Sequence, residues 1–190
     1  MLDVLLPLLH IRREVPSHPY INRTPFKAAV RFSFENLLST SFTNLFAMAP
    51  TEIVQSGQTY RIINASSGTL LDLSQDDNRS IIGWPRNDGA NQRWTVTWAG
   101  DGWTFKSVSS GMYLGIADNA VNGVPLIAKQ DPTIWHIWHD QMNNENYRVY
   151  IPNTVQNWDL YDYGSKRPGD PVTLWTAWNG VHQTWKFEPV

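Results

Sequence analysis

One short signature returns along the chain, and that return limits what the chain can fold into. Asn91-Gln92-Arg93-Trp94 comes back near the C-terminus as His182-Gln183-Thr184-Trp185. A worn version, Trp135-His136-Ile137-Trp138, lies between them. Read with Trp138 as the closing residue of the worn copy, the three Trp stand 44 and 47 residues apart. Such a period means one supersecondary unit used three times. Each copy also opens on an aromatic, at Tyr60, Trp103 and Tyr147. Upstream of each closing Trp lies a short apolar stretch: Leu70-Leu71-Asp72-Leu73, Tyr113-Leu114-Gly115-Ile116 and Asn157-Trp158-Asp159-Leu160.

The pattern within each copy has period two. Leu71 and Leu73 flank Asp72, Leu114 and Ile116 flank Gly115, and Trp158 and Leu160 flank Asp159. Alternation of this kind makes strands with the apolar pair inward and the middle residue outward. Trp94, Val96 and Trp98 share one parity, as do Trp185 and Phe187, so the repeated Trp is expected in the core. Residues 51–190 carry no helical period. Turn signals separate the segments, at Ala99-Gly100-Asp101-Gly102, at the polar run Met142–Asn146 and at Pro168-Gly169-Asp170-Pro171. Three units of about 45 residues with several short strands each predict a closed all-β unit with threefold pseudo-symmetry.

The Gln-x-Trp endings, the Leu-Asp-Leu stretch and the threefold period resemble the ricin B-type lectins, and within them the small cysteine-free lectins of mushrooms. The resemblance covers residues 51–190. It implies a β-trefoil fold and a non-catalytic protein that binds galactose- or N-acetylgalactosamine-type glycans, with a defensive role. It also implies site roles. In the first copy Asp72 would accept from adjacent sugar hydroxyls, Trp84 would take the apolar face of the ring, and Asn91 would bracket a hydroxyl. In the third copy Asp159 and Trp175 are kept and His182 replaces the Asn, which marks a weaker second site. In the second copy Gly115 stands for the Asp, Ala128 for the aromatic, Trp135 for the Asn and His136 for the Gln, so that copy is expected to be structural. For each site residue a bland alternative stays open: an outward Asp that serves only backbone N–H groups, and a Trp that only packs.

Composition narrows the rest. The absence of cysteine means that no disulfide staples the fold. A net charge of −2 gives no basic footprint for nucleic acid. All ten Trp lie between Trp84 and Trp185, whereas residues 1–47 hold neither Trp nor Gly. That front stretch carries five basic against three acidic residues, and the remainder ten against fourteen. Leu2–Leu9 is too short to span a membrane and lacks the charged start of a secretory signal. The division expected is an extension over 1–47, disordered or an upstream stretch of a gene model, before a β-trefoil domain over 48–190. A cytoplasmic location, no membrane insertion, no cofactor and no metal complete the expectation. Glycans are the expected partners, with a homodimer as one route to multivalency. The sequons at Asn64 and Asn78 are expected to stay unmodified.

Enzyme signatures are lacking: no Gly-x-Ser-x-Gly elbow, phosphate loop or His-Glu-x-x-His pair is present. The rival from another class is a β-trefoil protease inhibitor, which would have no use for the Asp, Trp and Asn set.

Overall fold

The computed structural model describes residues 54–190. The extension expected over 1–47 and the proposed boundary at 48 lie outside the described residues.

The fold is a β-trefoil built from twelve short strands. Six of them close a barrel: β1 (Gln58–Asn64), β4 (Trp94–Trp98), β5 (Trp103–Ser107), β8 (His136–His139), β9 (Tyr147–Tyr150) and β12 (Trp185–Pro189). β1 pairs with β4 and β12, β4 with β5, and β9 with β8 and β12. A bridge between Trp103 and Trp135 closes the ring from β5 to the start of β8. The other six strands form three hairpins: β2 (Leu70–Leu73) with β3 (Ile81–Trp84), β6 (Tyr113–Ile116) with β7 (Leu126–Lys129), and β10 (Gln156–Leu160) with β11 (Asp170–Thr176). Short pairings join the hairpins to one another in a cycle, at Asp170–Gly83 and Pro171–Ile82, at Pro125–Thr173 and at Ser80–Ile127.

The threefold repeat is exact in register. The three opening aromatics face the three core Trp across antiparallel pairs: Tyr60 with Trp94, Trp103 with Trp135, Tyr147 with Trp185. This corrects the sequence alignment of the second copy. Trp135, not Trp138, is its core residue: Trp135 is fully buried, whereas Trp138 is 61% exposed. Trp135 Nε1 donates to Leu114 O at 3.1 Å, as Trp94 Nε1 donates to Leu71 O at 3.0 Å. The worn tetrapeptide has a Trp at each end, and the choice between them needs the partner strand. Trp98 also departs from expectation. It shares parity with Trp94 but lies at the strand end, half-exposed, edge-on to Trp103 at 5.3 Å.

The core is aromatic because the barrel is wide and must be filled without disulfides. Trp94, Trp135, Trp158 and Trp185 are all fully buried, with Tyr60, Phe105 and Phe187 packed among them. From the hairpins, Leu71, Leu73, Ile81, Leu114, Leu160 and Val172 seal the open end. The other face of each hairpin points away from this core, and there the candidate sites lie. Asn64 is fully buried and donates to His182 O at 2.8 Å, so its sequon is not accessible in the folded domain.

Candidate functional site

In β2, Leu71 and Leu73 enter the core, so Leu70 and Asp72 face the other way. Leu70 lies opposite Trp84 and Asp72 opposite Ile82, which places all four on one face of the hairpin. Asp72 and Trp84 are therefore diagonal neighbours, roughly 7–8 Å apart at the backbone. The third repeat has the same register: Asn157 opposite Trp175, Asp159 opposite Thr173. Trp84 and Trp175 are 39% and 43% exposed, so an indole face is open beside each carboxylate.

Asp72 does face away from the core, as expected, but it is not on the surface: it is 2% exposed. The 3-10 turn Ala90–Gln92 folds over it. Asn91 Nδ2 and Gln92 Nε2 donate to Asp72 Oδ2 at 2.9 and 2.8 Å. Gln92 is itself fixed by donating to Pro85 O and by accepting from the Asn87 N–H. No hydrogen bond from another described residue falls on Asp72 Oδ1, which keeps its lone pairs for an incoming donor. Burial lifts the Asp72 carboxyl to a pKa of about 6, against the lowering effect of the Gln92 and Asn91 bonds.

The third repeat repeats this device through the turn Val181–Gln183. Gln183 Nε2 donates to Asp159 Oδ2 at 2.8 Å, and its Oε1 accepts from the Trp178 N–H. His182 Nε2 stands 3.3 Å from the same Oδ2. So the Gln of the repeated signature, given no site role from the sequence, is the group that aims each carboxylate. A second signal went unread, the Gly two residues before Asn91 and before His182. A Cβ on Gly89 would lie 2.3 Å from Asn91 Oδ1, and one on Gly180 would lie 2.5 Å from His182 Cε1. The loop passes so close above the site residue that only hydrogen fits.

The third site differs in its walls. Asp162, Tyr163 and Gly164 all adopt left-handed backbone (φ 51°, 56° and 81°). Two non-Gly residues in that region cost roughly 1–3 kcal/mol each. The turn sets the Tyr163 ring edge-on to His182 at 5.5 Å and to Trp178 at 6.3 Å. Trp178 packs on His182 at 5.2 Å. The result is an aromatic enclosure that the first repeat lacks.

The second repeat holds no such site, for reasons that differ from those expected. Register places Tyr113 opposite Lys129 and Gly115 opposite Ile127, so Lys129 occupies the place of Trp84, rather than Ala128. With Trp135 as the core residue, Pro132 and Thr133 fall in the places of Asn91 and Gln92, in place of Trp135 and His136. A Cβ on Gly115 would meet Lys129 Cδ at 2.5 Å and Thr133 Oγ1 at 2.6 Å. The Lys129 side chain thus fills the space where the other repeats keep a carboxylate. Calorimetric titration with galactose should accordingly count one or two sites per chain, and three equivalent sites would contradict this geometry.

A family profile described as "Ricin-type beta-trefoil lectin domain-like" matches residues 46–129 and, in an overlapping span, 90–175. The chain belongs to this family. It is a lectin domain of the carbohydrate-binding kind, and the resemblance read from the sequence holds. Among solved structures, the lectin is similar to the Macrolepiota procera ricin B-like lectin in complex with lactose. Identity to it is 50%, the TM-score is 0.71, and the match covers 71% of this chain and 97% of that one. It is also similar to the Rhizoctonia solani agglutinin, at 26% identity and TM-score 0.65 over 73% and 99% of the two chains. ThreeFoil, a designed threefold-symmetric protein, shares the fold at 20% identity and TM-score 0.62, over 70% of this chain and 99% of that one. No curated protein matches the lectin.

Proposed function

We propose that the lectin binds galactose- and N-acetylgalactosamine-type glycans without catalysis, with its main site in the first repeat and a weaker one in the third. The observation that carries this is the Asp72 carboxylate: Oδ2 clamped by two amides, Oδ1 unclaimed, and an open Trp84 face on the diagonal. A galactose-type ring suits this arrangement. Its axial 4-hydroxyl and its 3-hydroxyl converge on one acceptor, and the axial group leaves a continuous C–H face for an indole. The lactose complex of the 50% identical mushroom lectin supports the same reading. Asn91 spends its Nδ2 on Asp72 and on Leu73 O, at 2.9 and 3.3 Å, so its part is to hold the carboxylate rather than to bracket a hydroxyl alone. Support for a non-catalytic role comes from the neighbours of Asp72, which are amides. Glycoside hydrolysis calls for a second carboxyl facing the first across the bond.

Affinity for one sugar should be weak, because each exposed hydrogen bond replaces one to water. A dissociation constant on the order of 0.1–1 mM is expected for a monosaccharide. Crosslinking of cells then needs the third-repeat site or a homodimer, which multiply affinity through effective concentration. The direct test is binding of the full chain to immobilised galactose and N-acetylgalactosamine glycans beside mannose glycans. Retention on mannose and none on the galactosides would refute the reading.

The raised carboxyl adds a pH prediction with two opposite signs. Binding uses the ionised Asp72, so first-site affinity should fall as pH drops through about 6, to about tenfold weaker at pH 5 than at pH 7. Fold stability runs the other way. A carboxyl whose folded pKa exceeds its unfolded value stabilises the fold below the unfolded pKa, and that stability is lost as pH rises through about 6. Melting at pH 5 and 7 alongside galactose titration at both separates the two effects. Parallel losses of stability and binding at pH 5 would contradict the assignment.

A further inference from the structure

Beside the third repeat lies a cavity of about 280 Å³, just under the roughly 300–1,000 Å³ of small-ligand sites. The same place beside the first repeat is crossed by ion pairs, and residue-by-residue comparison shows the difference. There, Arg61 faces Glu188 across the β1–β12 pair. Arg86 binds Glu188 through two bonds at 2.9 and 2.7 Å, and Arg61 reaches Asp88 at 3.1 Å. This lattice of ion pairs covers the strands. In the third repeat the pseudo-symmetric pair is Arg148 facing Trp138. Ala177 stands where Arg86 stands and Asn179 where Asp88 stands, each with the same spacing to its closing Trp. An indole in place of Glu188 and a methyl group in place of Arg86 leave no such ion pairs here, and both Trp138 and Ala177 line the cavity.

Its walls have a definite chemistry. Trp138 and Trp178 are 61% and 48% exposed and both line it. Gln141, Tyr150 and Asn179 also line it, and none of the three hydrogen-bonds another described residue through its side chain. The charged groups at the floor are already spent. Asp140 Oδ1 accepts from Arg148 Nε at 2.6 Å, and Oδ2 accepts from the N–H groups of Met142 and Asn143. Arg148 Nη1 donates to Asn157 Oδ1 and to Gln183 Oε1. Gln183 is the residue that aims Asp159, and Trp178 packs on His182, so cavity and third-repeat site share a wall.

We propose that this cavity is an extended subsite that takes the inner rings of a neutral oligosaccharide whose terminal ring sits at Asp159 and Trp175. Indole faces accept the apolar sides of sugar rings, and two amides and a phenol exchange hydrogen bonds with hydroxyls. No unpaired charge is left to select an ionic ligand. The inference rests on the third-repeat site of the proposed function and adds to it a preference for chain length.

The test uses the full chain carrying Asp72→Asn, so that the first repeat is silent, and compares galactose with lacto-N-neotetraose, a neutral tetrasaccharide ending in galactose. The tetrasaccharide should bind about tenfold more tightly than galactose. Trp138→Ala should abolish that gain and leave galactose binding unchanged. Trp138→Glu combined with Ala177→Arg, which rebuilds the ion pair of the first repeat, should do the same, and Trp138→Phe should retain part of the gain. Trp138 is exposed and Ala177 is partly buried, and melting temperatures serve as folding controls. Equal affinity for the two sugars, or a gain that survives Trp138→Ala, overturns the subsite. Failure of the unsubstituted lectin to bind galactose at all overturns the proposed function instead.

Discussion

Trp158→Ala should be the most destabilising single substitution in the domain, by about 3–5 kcal/mol, the range for deleting a buried aromatic. Trp158 is fully buried in the aromatic core. Its ring lies 5.0 Å from Phe105, 5.3 Å from Trp135 and 6.0 Å from Trp185, so one residue ties the third hairpin to core rings of the second and third repeats. The residues in its place in the other repeats are Leu71 and Leu114, so the indole fills space that no symmetry mate can supply. A rigid closed barrel collapses little around a void, and the cavity term therefore adds to the lost transfer energy. At this domain size the loss corresponds to a fall in Tm on the order of 10–20 °C. Trp158→Leu, which copies the symmetry-related side chain, should recover part of it. A thermal melt of both variants checks this, and a fall of only a few degrees for Trp158→Ala would show that the core is not organised around this ring.

The aromatic core and the closed threefold fold were legible because they rest on local signals, the closing Trp94 and Trp185 and the period-two stretches above them. What failed was register. The second copy has Trp at both ends of its tetrapeptide, and only the pairing of Trp103 with Trp135 decides which one enters the core. Counting back from the closing Trp gave Ala128 the place that belongs to Lys129, because strand pairing, not spacing to that Trp, fixes which side of a ribbon a residue occupies. Asp72, Trp84 and Asn91 were each singled out, yet the cover over Asp72 was not. Alternation tells inward from outward, but it says nothing of a turn some twenty residues later that folds back across the outward face. The extended cavity was hidden for a similar reason. It depends on an absent arginine at Ala177 and an indole at Trp138, distant in sequence and joined only through the barrel.

Asp72→Asn should silence the first repeat while leaving the fold intact. The buried carboxyl is held by two amide donors on Oδ2. An asparagine can present its single oxygen to the same two donors, so the internal clamp survives. Its NH2 group then points where Oδ1 stood and offers donors to sugar hydroxyls that need an acceptor. Hydrogen bonds to a charged acceptor are worth roughly 1.5–3 kcal/mol, against about 1 for neutral ones. Two such bonds lost should weaken binding by about 2 kcal/mol or more, roughly thirtyfold, taking a site near 0.1–1 mM to several millimolar and beyond. Stability at pH 7 should hold or rise, because the substitution removes a charge whose burial is unfavourable. Trp84→Ala should weaken the site similarly by removing the stacking face. Asp159→Asn should cost the whole chain less, because its site is the one proposed to be the weaker. Binding to immobilised galactose and N-acetylgalactosamine glycans, with melting temperature as the folding control, decides the matter. If Asp72→Asn folds as the parent does and binds as well, the first-repeat site is wrong, and inhibition of a panel of proteases is the next measurement to make.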